Sequence, residues 1–159
     1  MPRRSEVAFL LAQLGAFAAE RFGERAHAVD FSRPQAGLLR LIARRPGQSQ
    51  QAVADQLGLP ASRLVALVDG LQTRGLVERR RNPDDRRHHA LYLTEAGQEA
   101  TRVLGEIAAE HESAIVAPLS ATERNQLNSL LAKLADAHGL RPGIHPGYRH
   151  VGARATPRR

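Results

Sequence analysis

Residues 50–80 read QQAVADQLGLPASRLVALVDGLQTRGLVERR, and the punctuation in this stretch decides the fold. Ser49 is a natural N-cap for a short helix, QQAVADQLG, because its hydroxyl can accept a bond from an otherwise unpaired first-turn N–H. Gly58 marks the end of that helix, since glycine tolerates the left-handed backbone that closes one. Pro60 starts a second helix, ASRLVALVDGLQTRG, with Leu64, Leu67, Val68 and Leu71 facing inward at helical spacing and Gly75 as its stop. Two short helices across a tight Gly-Leu-Pro turn have the form of a helix-turn-helix. The first braces the second, whose outer face is left to enter a groove about as wide as a helix.

Two extended runs follow at once, LVERR and HHALYLT, around the segment RNPDDRR at 81–87. In the second run Leu91 and Leu93 point one way and Ala90 and Tyr92 the other, the alternation of a strand. Asn82-Pro83-Asp84-Asp85 is turn chemistry, because Pro83 presets its φ and the Asn and Asp side chains bond back to the backbone. The hairpin therefore reads as a wing beside the helix-turn-helix. Arginines crowd its tip, and an arginine suits a narrow minor groove, where the negative potential is deepest. Arg87 is the expected inserted residue, with Asp85 orienting it through a planar guanidinium–carboxylate fork and Arg86 as the alternate. The plainer reading is a solvated tip, with Arg79 to Arg81 blunting an exposed strand edge. The expected DNA-contacting set is Ser49, Gln50, Ala61, Ser62, Arg63, Val65, Ala66, Arg81, Asp85, Arg86 and Arg87. Asp69, on the same helix, would be repelled by phosphate and is expected to pair internally.

Outward from this centre the chain is helical. Val7, Leu10, Leu11, Leu14, Phe17, Ala18 and Phe22 form one stripe of a first helix. Phe31-Ser32-Arg33-Pro34 opens a second, about Gln35 to Arg45, that buries Leu38, Leu39 and Ile42 and stops before Pro46-Gly47. Thr94 begins a long helix, about Glu95 to Val116, with apolar Val103, Ile107 and Ile115; Pro118 breaks it. Ser120 and Glu123 have capping-box spacing, and the last helix is expected to bury Leu127, Leu130, Leu131 and Leu134. From residue 139 onward, Gly, Pro and Arg predominate without a periodic apolar face, which predicts a flexible basic tail.

Composition agrees with one mainly helical domain: 159 residues, 42% hydrophobic and 4% aromatic. The N-terminal MPRRSEVAFLLAQLGAFAAERFGER has a superficial likeness to a signal peptide. Gln13, Glu20 and Arg21 interrupt its apolar residues, so it reads as an amphipathic helix of a cytoplasmic protein. Nothing approaches the ~20 apolar residues that cross a bilayer. The absence of cysteine removes disulfides, thiol catalysis and Cys-based zinc sites. The net charge is +7, but five arginines and no acid lie from Gly139 onward, leaving +2 for the body. Charge alone is a weak pointer to nucleic acid.

The segments ADQLGLPASRLVALVDGLQTRGLVERR and DDRRHHALYLTEAG resemble the MarR family of bacterial transcription regulators. The matching signatures are Arg74-Gly75-Leu76-Val77, the wing's Asp85-Arg86-Arg87, and Leu93-Thr94-Glu95-Ala96-Gly97 opening the next helix. The likeness spans about residues 5 to 138. It implies a winged helix-turn-helix, mainly α with a two- or three-stranded antiparallel wing, at 32–94. A helical dimerisation region would comprise 1–31 and 95–138, followed by the tail at 139–159. It further implies a homodimer on pseudo-palindromic DNA, usually a repressor released by a small, often aromatic or phenolic, ligand. The chain departs from the family at Pro60, where members often have Ser, and at Val65 and Ala66, where members carry polar residues. Such a helix would favour apolar contact with thymine methyls.

The resemblance places a ligand pocket where the first, second and fifth helices meet the DNA-binding lobe. Gln13, Arg21, His27, Arg40 and His111 are the polar residues within reach, and Gln13, Arg21, Arg40 and His111 are the expected contacts. Metal sites have little support: His88 and His89 point to opposite strand faces, His111 lacks a second His four residues away, and His138, His145 and His150 fall in the tail. No nucleophile elbow, phosphate-binding Gly loop or dinucleotide fingerprint occurs, so neither catalysis nor a cofactor is expected. Two other readings stay open. One is a winged-helix protein-interaction module, favoured by the apolar Val65 and Ala66. The other is a DNA binder that ignores small ligands.

Overall fold

The structure, a computed structural model, describes residues 6–81 and 89–144. Helix α1 (Val7–His27) leads to α2 (Arg33–Arg44), α3 (Gln50–Leu57) and α4 (Ala61–Thr73). A short strand β1 (Gln48–Ser49) precedes α3, and the hairpin strands β2 (Val77–Arg81) and β3 (His89–Leu93) follow α4. Two further helices, α5 (Glu95–Ile115) and α6 (Ala121–Ala137), complete the order.

The helix boundaries fall where local chemistry sets them. Ser32 and Gln35 close α2 with a reciprocal capping box, and Pro34 occupies its first turn. Ser49 Oγ accepts from Ala52 N and so caps α3, which Gly58 ends at φ 65°. Pro60 starts α4 without any side-chain cap. Ser120 and Glu123 form the second capping box, at the start of α6.

The sheet has three strands in the order β1-β3-β2, all antiparallel. β3 is central, with Ala90 opposite Ser49 on one side and Arg80 on the other. This position corrects the simple alternation. Leu91 is buried as expected, but Ala90 is buried as well, because its single methyl is flanked by paired residues from both neighbouring strands.

The core lies under the helix-turn-helix. Leu38, Leu39 and Ile42 of α2 pack with Val53, Leu64, Val68, Leu71, Val77 and Leu91, all at most 1% exposed. In α5 the core residue is Leu104; Val103, Ile107 and Ile115 are only half-buried. A glycine fixes how α5 starts. A Cβ on Gly97 would lie 1.9 Å from the carbonyl oxygen of Leu76, so the first turn of α5 sits directly against the backbone entering β2.

The outer helices differ from expectation in one respect. The stripe of α1 is exposed at Val7, Leu10, Leu11, Leu14 and Phe17, with only Phe22 packed against the core. α6 buries nothing, and Leu127, Leu130, Leu131 and Leu134 are 40%, 61%, 39% and 42% exposed. Their amphipathic patterns are real, but the described residues of a single copy do not cover them.

The segment expected to be a free tail also begins otherwise. Residues 139–144 fold back onto the helix-turn-helix lobe: Arg141 bonds the backbone of Asp55 and Gln56, and Ile144 packs against the core. Polar side-chain bonds and one apolar anchor hold it, so the lack of apolar periodicity did not reveal it. No described helix is long and apolar enough to cross a membrane.

Candidate nucleic-acid interface

Helix α4 is amphipathic in the sense required of a reading helix. Leu64, Val68 and Leu71 anchor one side in the core, and Ala61, Ser62, Val65 and Ala66 are exposed on the other. Arg63, between the faces, is half-buried. The exposed residues are small or apolar, so the face offers methyl-sized contacts and a single hydroxyl, that of Ser62.

The posture of this helix is set by Arg79, the third residue of β2. Its Nε donates to Gln50 Oε1, Nη1 to Gln72 Oε1, and Nη2 to Asp69 Oδ1 at 2.5 Å. One guanidinium thus joins the start of α3, the outer part of α4 and the wing strand. Its planar array of donors can satisfy three acceptors at once, which an ammonium could not do with the same rigidity. The arginine is 20% exposed and Asp69 57%, so its partners also meet water. Asp69 pairs internally, as expected.

Two of the expected DNA contacts also have partners within the chain. The amide oxygen of Gln50 is occupied by Arg79, and the hydroxyl of Ser49 accepts from Ala52 N at 3.1 Å. Both residues position α3. Sequence alone gives Arg79 only the role of edge-blunting charge; the available signal is an arginine in β2 together with Asp69 on the preceding helix.

Arg80 lies over the Tyr92 ring at 4.6 Å and bonds Glu78. Arg81 is exposed opposite His89, where the described part of β2 ends. Asp85, Arg86 and Arg87 lie outside the described residues, as does His88. At the far end of α4, Arg74 stacks on Phe31 at 4.2 Å and donates to the carbonyl of Asp30 at 2.8 Å. That contact ties the end of α4 to the loop before α2.

The four expected ligand contacts are in separate settings. Gln13 is exposed on α1. Arg21 pairs with Glu24 at 3.5 Å and lies over Phe17, and the His111 ring meets Phe22 at 5.8 Å. Arg40 donates to Gly143 O at 2.8 Å. Among the described residues no group of three or more His, Asp or Glu is placed to hold a metal. The resolved acid–base perturbations are structural. Hydrogen bonding to Arg102 lowers Glu99, and bonds from Ser120 lower Glu123.

Comparison with known proteins places this geometry in a family. A family model described as MarR family matches residues 29–88, from the loop before α2 to the residue preceding β3. A transcriptional regulatory protein for the hcr operon of Thauera aromatica is 35% identical over 98 residues, 62% of this chain and 59% of its own length. The match therefore spans little more than half of that relative. The transcriptional regulator HosA of Escherichia coli O111:H- is 27% identical over 108 residues, 68% of this chain and 80% of its own length. Among solved structures, the transcriptional repressor CouR bound to a 23-mer DNA duplex is 30% identical, with a TM-score of 0.72 over 85% of this chain and 99% of that one. The PcaV regulator of Streptomyces coelicolor is 29% identical, with a TM-score of 0.68 over 83% and 96%. A clamped, amphipathic α4 beside a three-stranded wing, on a chain that covers 99% of a 30% identical relative, makes this protein a member of the MarR family of winged helix-turn-helix transcriptional regulators, which are not enzymes.

Proposed function

We propose that the protein is a cytoplasmic homodimer that binds a pseudo-palindromic operator and acts as a repressor released by a small ligand. The observation that carries DNA reading is the exposed face of α4, Ala61, Ser62, Val65 and Ala66, held rigid by Arg79. Ser62 supplies a phosphate or base hydrogen bond, and Val65 and Ala66 supply apolar contact to thymine methyls. Arg63 and Arg81 flank this face, and Arg87, oriented by Asp85, reaches the minor groove with Arg86 beside it. The duplex-bound CouR structure supports this reading.

Dimerisation follows from the uncovered leucines of α1 and α6. Exposed apolar side chains at helical spacing are what a stable subunit interface buries. The dimerisation region comprises 1–31 and 95–138, and 32–94 forms the DNA-binding lobe. Two copies of α4 must then meet successive major grooves, about 34 Å apart. A ligand lowers affinity by favouring a dimer whose spacing no longer matches; a PcaV structure in complex with its natural ligand supports that part.

The test is a titration of genomic duplex fragments at several salt concentrations. Affinity should fall steeply with salt, because each phosphate neutralised releases counterions. Absence of binding at low salt would overturn the reading in favour of a protein-interaction module. Retention on DNA across a panel of phenolic acids would overturn only the ligand-release step.

A further inference from the structure

Beyond the DNA-reading face, the segment after α6 builds a second feature. Gly139 adopts φ 63°, Leu140 N closes the helix on Ala135 O, and the chain crosses to the far side of the helix-turn-helix. Arg141 Nη1 donates to the carbonyls of Asp55 at 2.6 Å and Gln56 at 2.9 Å. Arg40 Nη2 donates to the carbonyl of Gly143 at 2.8 Å. Between this strap and the C-terminal ends of α2 and α3 lies a cleft of about 410 Å³.

The walls of the cleft are chemically one-sided. Leu41, Leu57 and Ile144 supply apolar surface, and Arg40, Arg44, Arg45 and Arg141 supply four guanidinium groups. Among the described residues no acidic side chain lines it. Arg40 spends one nitrogen on one carbonyl, Arg141 one nitrogen on two, and both keep further donors. The guanidinium groups of Arg44 and Arg45 have no hydrogen-bond or ion-pair partner among the described residues. Arg44 Nη1 stands 2.9 Å from where a Cβ on Gly143 would be, so the strap passes close under it. Arg141 on the last α3 carbonyls offsets the negative end of that helix, which would otherwise repel an anion.

We propose that this cleft binds a small organic anion, a carboxylate on an apolar body. Like charges gathered on a strap and two helix ends repel one another, and a carboxylate relieves that repulsion through planar two-point bonds to arginine. The apolar residues receive the rest of the molecule, and the volume lies in the range of small-molecule sites, about 300–1,000 Å³. The residues following the strap, 145–159, contain no Asp or Glu, so no acidic side chain from that stretch fills the role. The lining draws on α2, α3 and the strap, with nothing from α1, α4 or α5. The site is therefore separate from the DNA-reading face; it shares α2 and Arg40 with the pocket the family resemblance implies but replaces α1 and α5 by α3 and the strap, and it does not depend on the DNA reading.

Isoleucine-methyl NMR of the full chain tests it, since the four isoleucines are Ile42, Ile107, Ile115 and Ile144. Benzoate should shift the Ile144 methyl saturably while buried Ile42 stays fixed. Benzamide, the neutral counterpart, should bind at least about tenfold more weakly, the scale of one charge-assisted hydrogen bond. Inorganic phosphate, lacking an apolar body, should also bind more weakly. Arg44→Ala should cost about tenfold in benzoate affinity and leave the free-state Ile144 shift in place. Arg141→Ala should move that free-state shift by loosening the strap. No saturable Ile144 shift up to roughly 10 mM benzoate, well past millimolar affinity, would overturn the proposal. So would equal binding of benzamide or phosphate, or an Arg44→Ala variant that binds as before. Short duplex DNA shifting Ile144 in an Arg44-dependent way would overturn it too, by making the cleft a phosphate contact.

Discussion

Replacing Gly97 with alanine adds one methyl to the first turn of α5, where helix propensity alone favours alanine by about 1 kcal/mol. The tertiary geometry reverses that sign. The new Cβ would stand 1.9 Å from the Leu76 carbonyl oxygen and 2.9 Å from its carbonyl carbon, both backbone atoms with no rotamer to yield. Reaching even a close carbon–oxygen contact of ~3.3 Å requires α5 to retreat by about 1.4 Å. The same carbonyl accepts from Thr94 N at 3.1 Å, and Thr94 Oγ1 donates to Gly75 O at 2.6 Å. Retreat weakens both bonds, at about 1 kcal/mol each, on top of an overpacking cost of about 1–3 kcal/mol. After subtracting the propensity gain of about 1 kcal/mol, the net loss is about 2–4 kcal/mol. For a chain of this size that lowers Tm by roughly 5–15 °C. Gly105, on the same helix, has nothing within 4 Å of its would-be Cβ. Gly105→Ala should therefore stabilise by about 0.5–1 kcal/mol. Urea and thermal unfolding followed by circular dichroism, at one protein concentration, compare the two variants. A Gly97→Ala protein as stable as the parent would refute the close packing of α5 on the β2 entrance.

Arg79→Ala removes three bonds whose partners are largely exposed, so the expected stability loss is only about 1–2 kcal/mol, with weakened DNA binding. Arg79→Lys should not restore it, since one ammonium cannot hold Gln50, Gln72 and Asp69 together; full rescue by lysine would argue against a three-element clamp. Leu130→Asp, at a 61% exposed position, should leave the fold intact and shift sedimentation from dimer to monomer. A dimer that survives this change would exclude that part of α6 from the interface. Glu123 is held below its ordinary 4.5 by bonds from Ser120. Its contribution is therefore present above the unfolded value and lost as pH falls through the folded one. Amide exchange in the first turn of α6 should accelerate over that acidic range, and Glu123→Ala should flatten the dependence.

The helix ends were legible in the residues because they are local events. Ser49, Ser120, Thr94, Gly58 and Gly75 act within a turn of their own position, and each does what its side chain or its missing Cβ permits. The inward face of α4 was likewise readable from Leu64, Val68 and Leu71, because helical spacing alone brings them to one side. Amphipathic pattern showed that α1 and α6 have an apolar face. It did not show against what, since the pattern reports a preference for burial and is silent on the covering surface.

What lay beyond the residues was every contact between groups far apart in the chain. Arg79 looks the same in sequence as Arg80 and Arg81. Only the fold brings Gln50, Asp69 and Gln72 to its guanidinium while turning its neighbours toward Tyr92 and solvent. The strap at 139–144 has no periodicity to announce it, because backbone carbonyls and single side chains hold it. The residues alone settled the order of the helices and the winged helix-turn-helix, both governed by short-range stereochemistry and periodic burial, but not the two-residue β1, which exists only by pairing with β3. Tertiary structure alone decided which arginines brace the reading helix and which gather around a cleft, because a charged side chain's role depends on its spatial neighbours, and sequence spacing does not specify them.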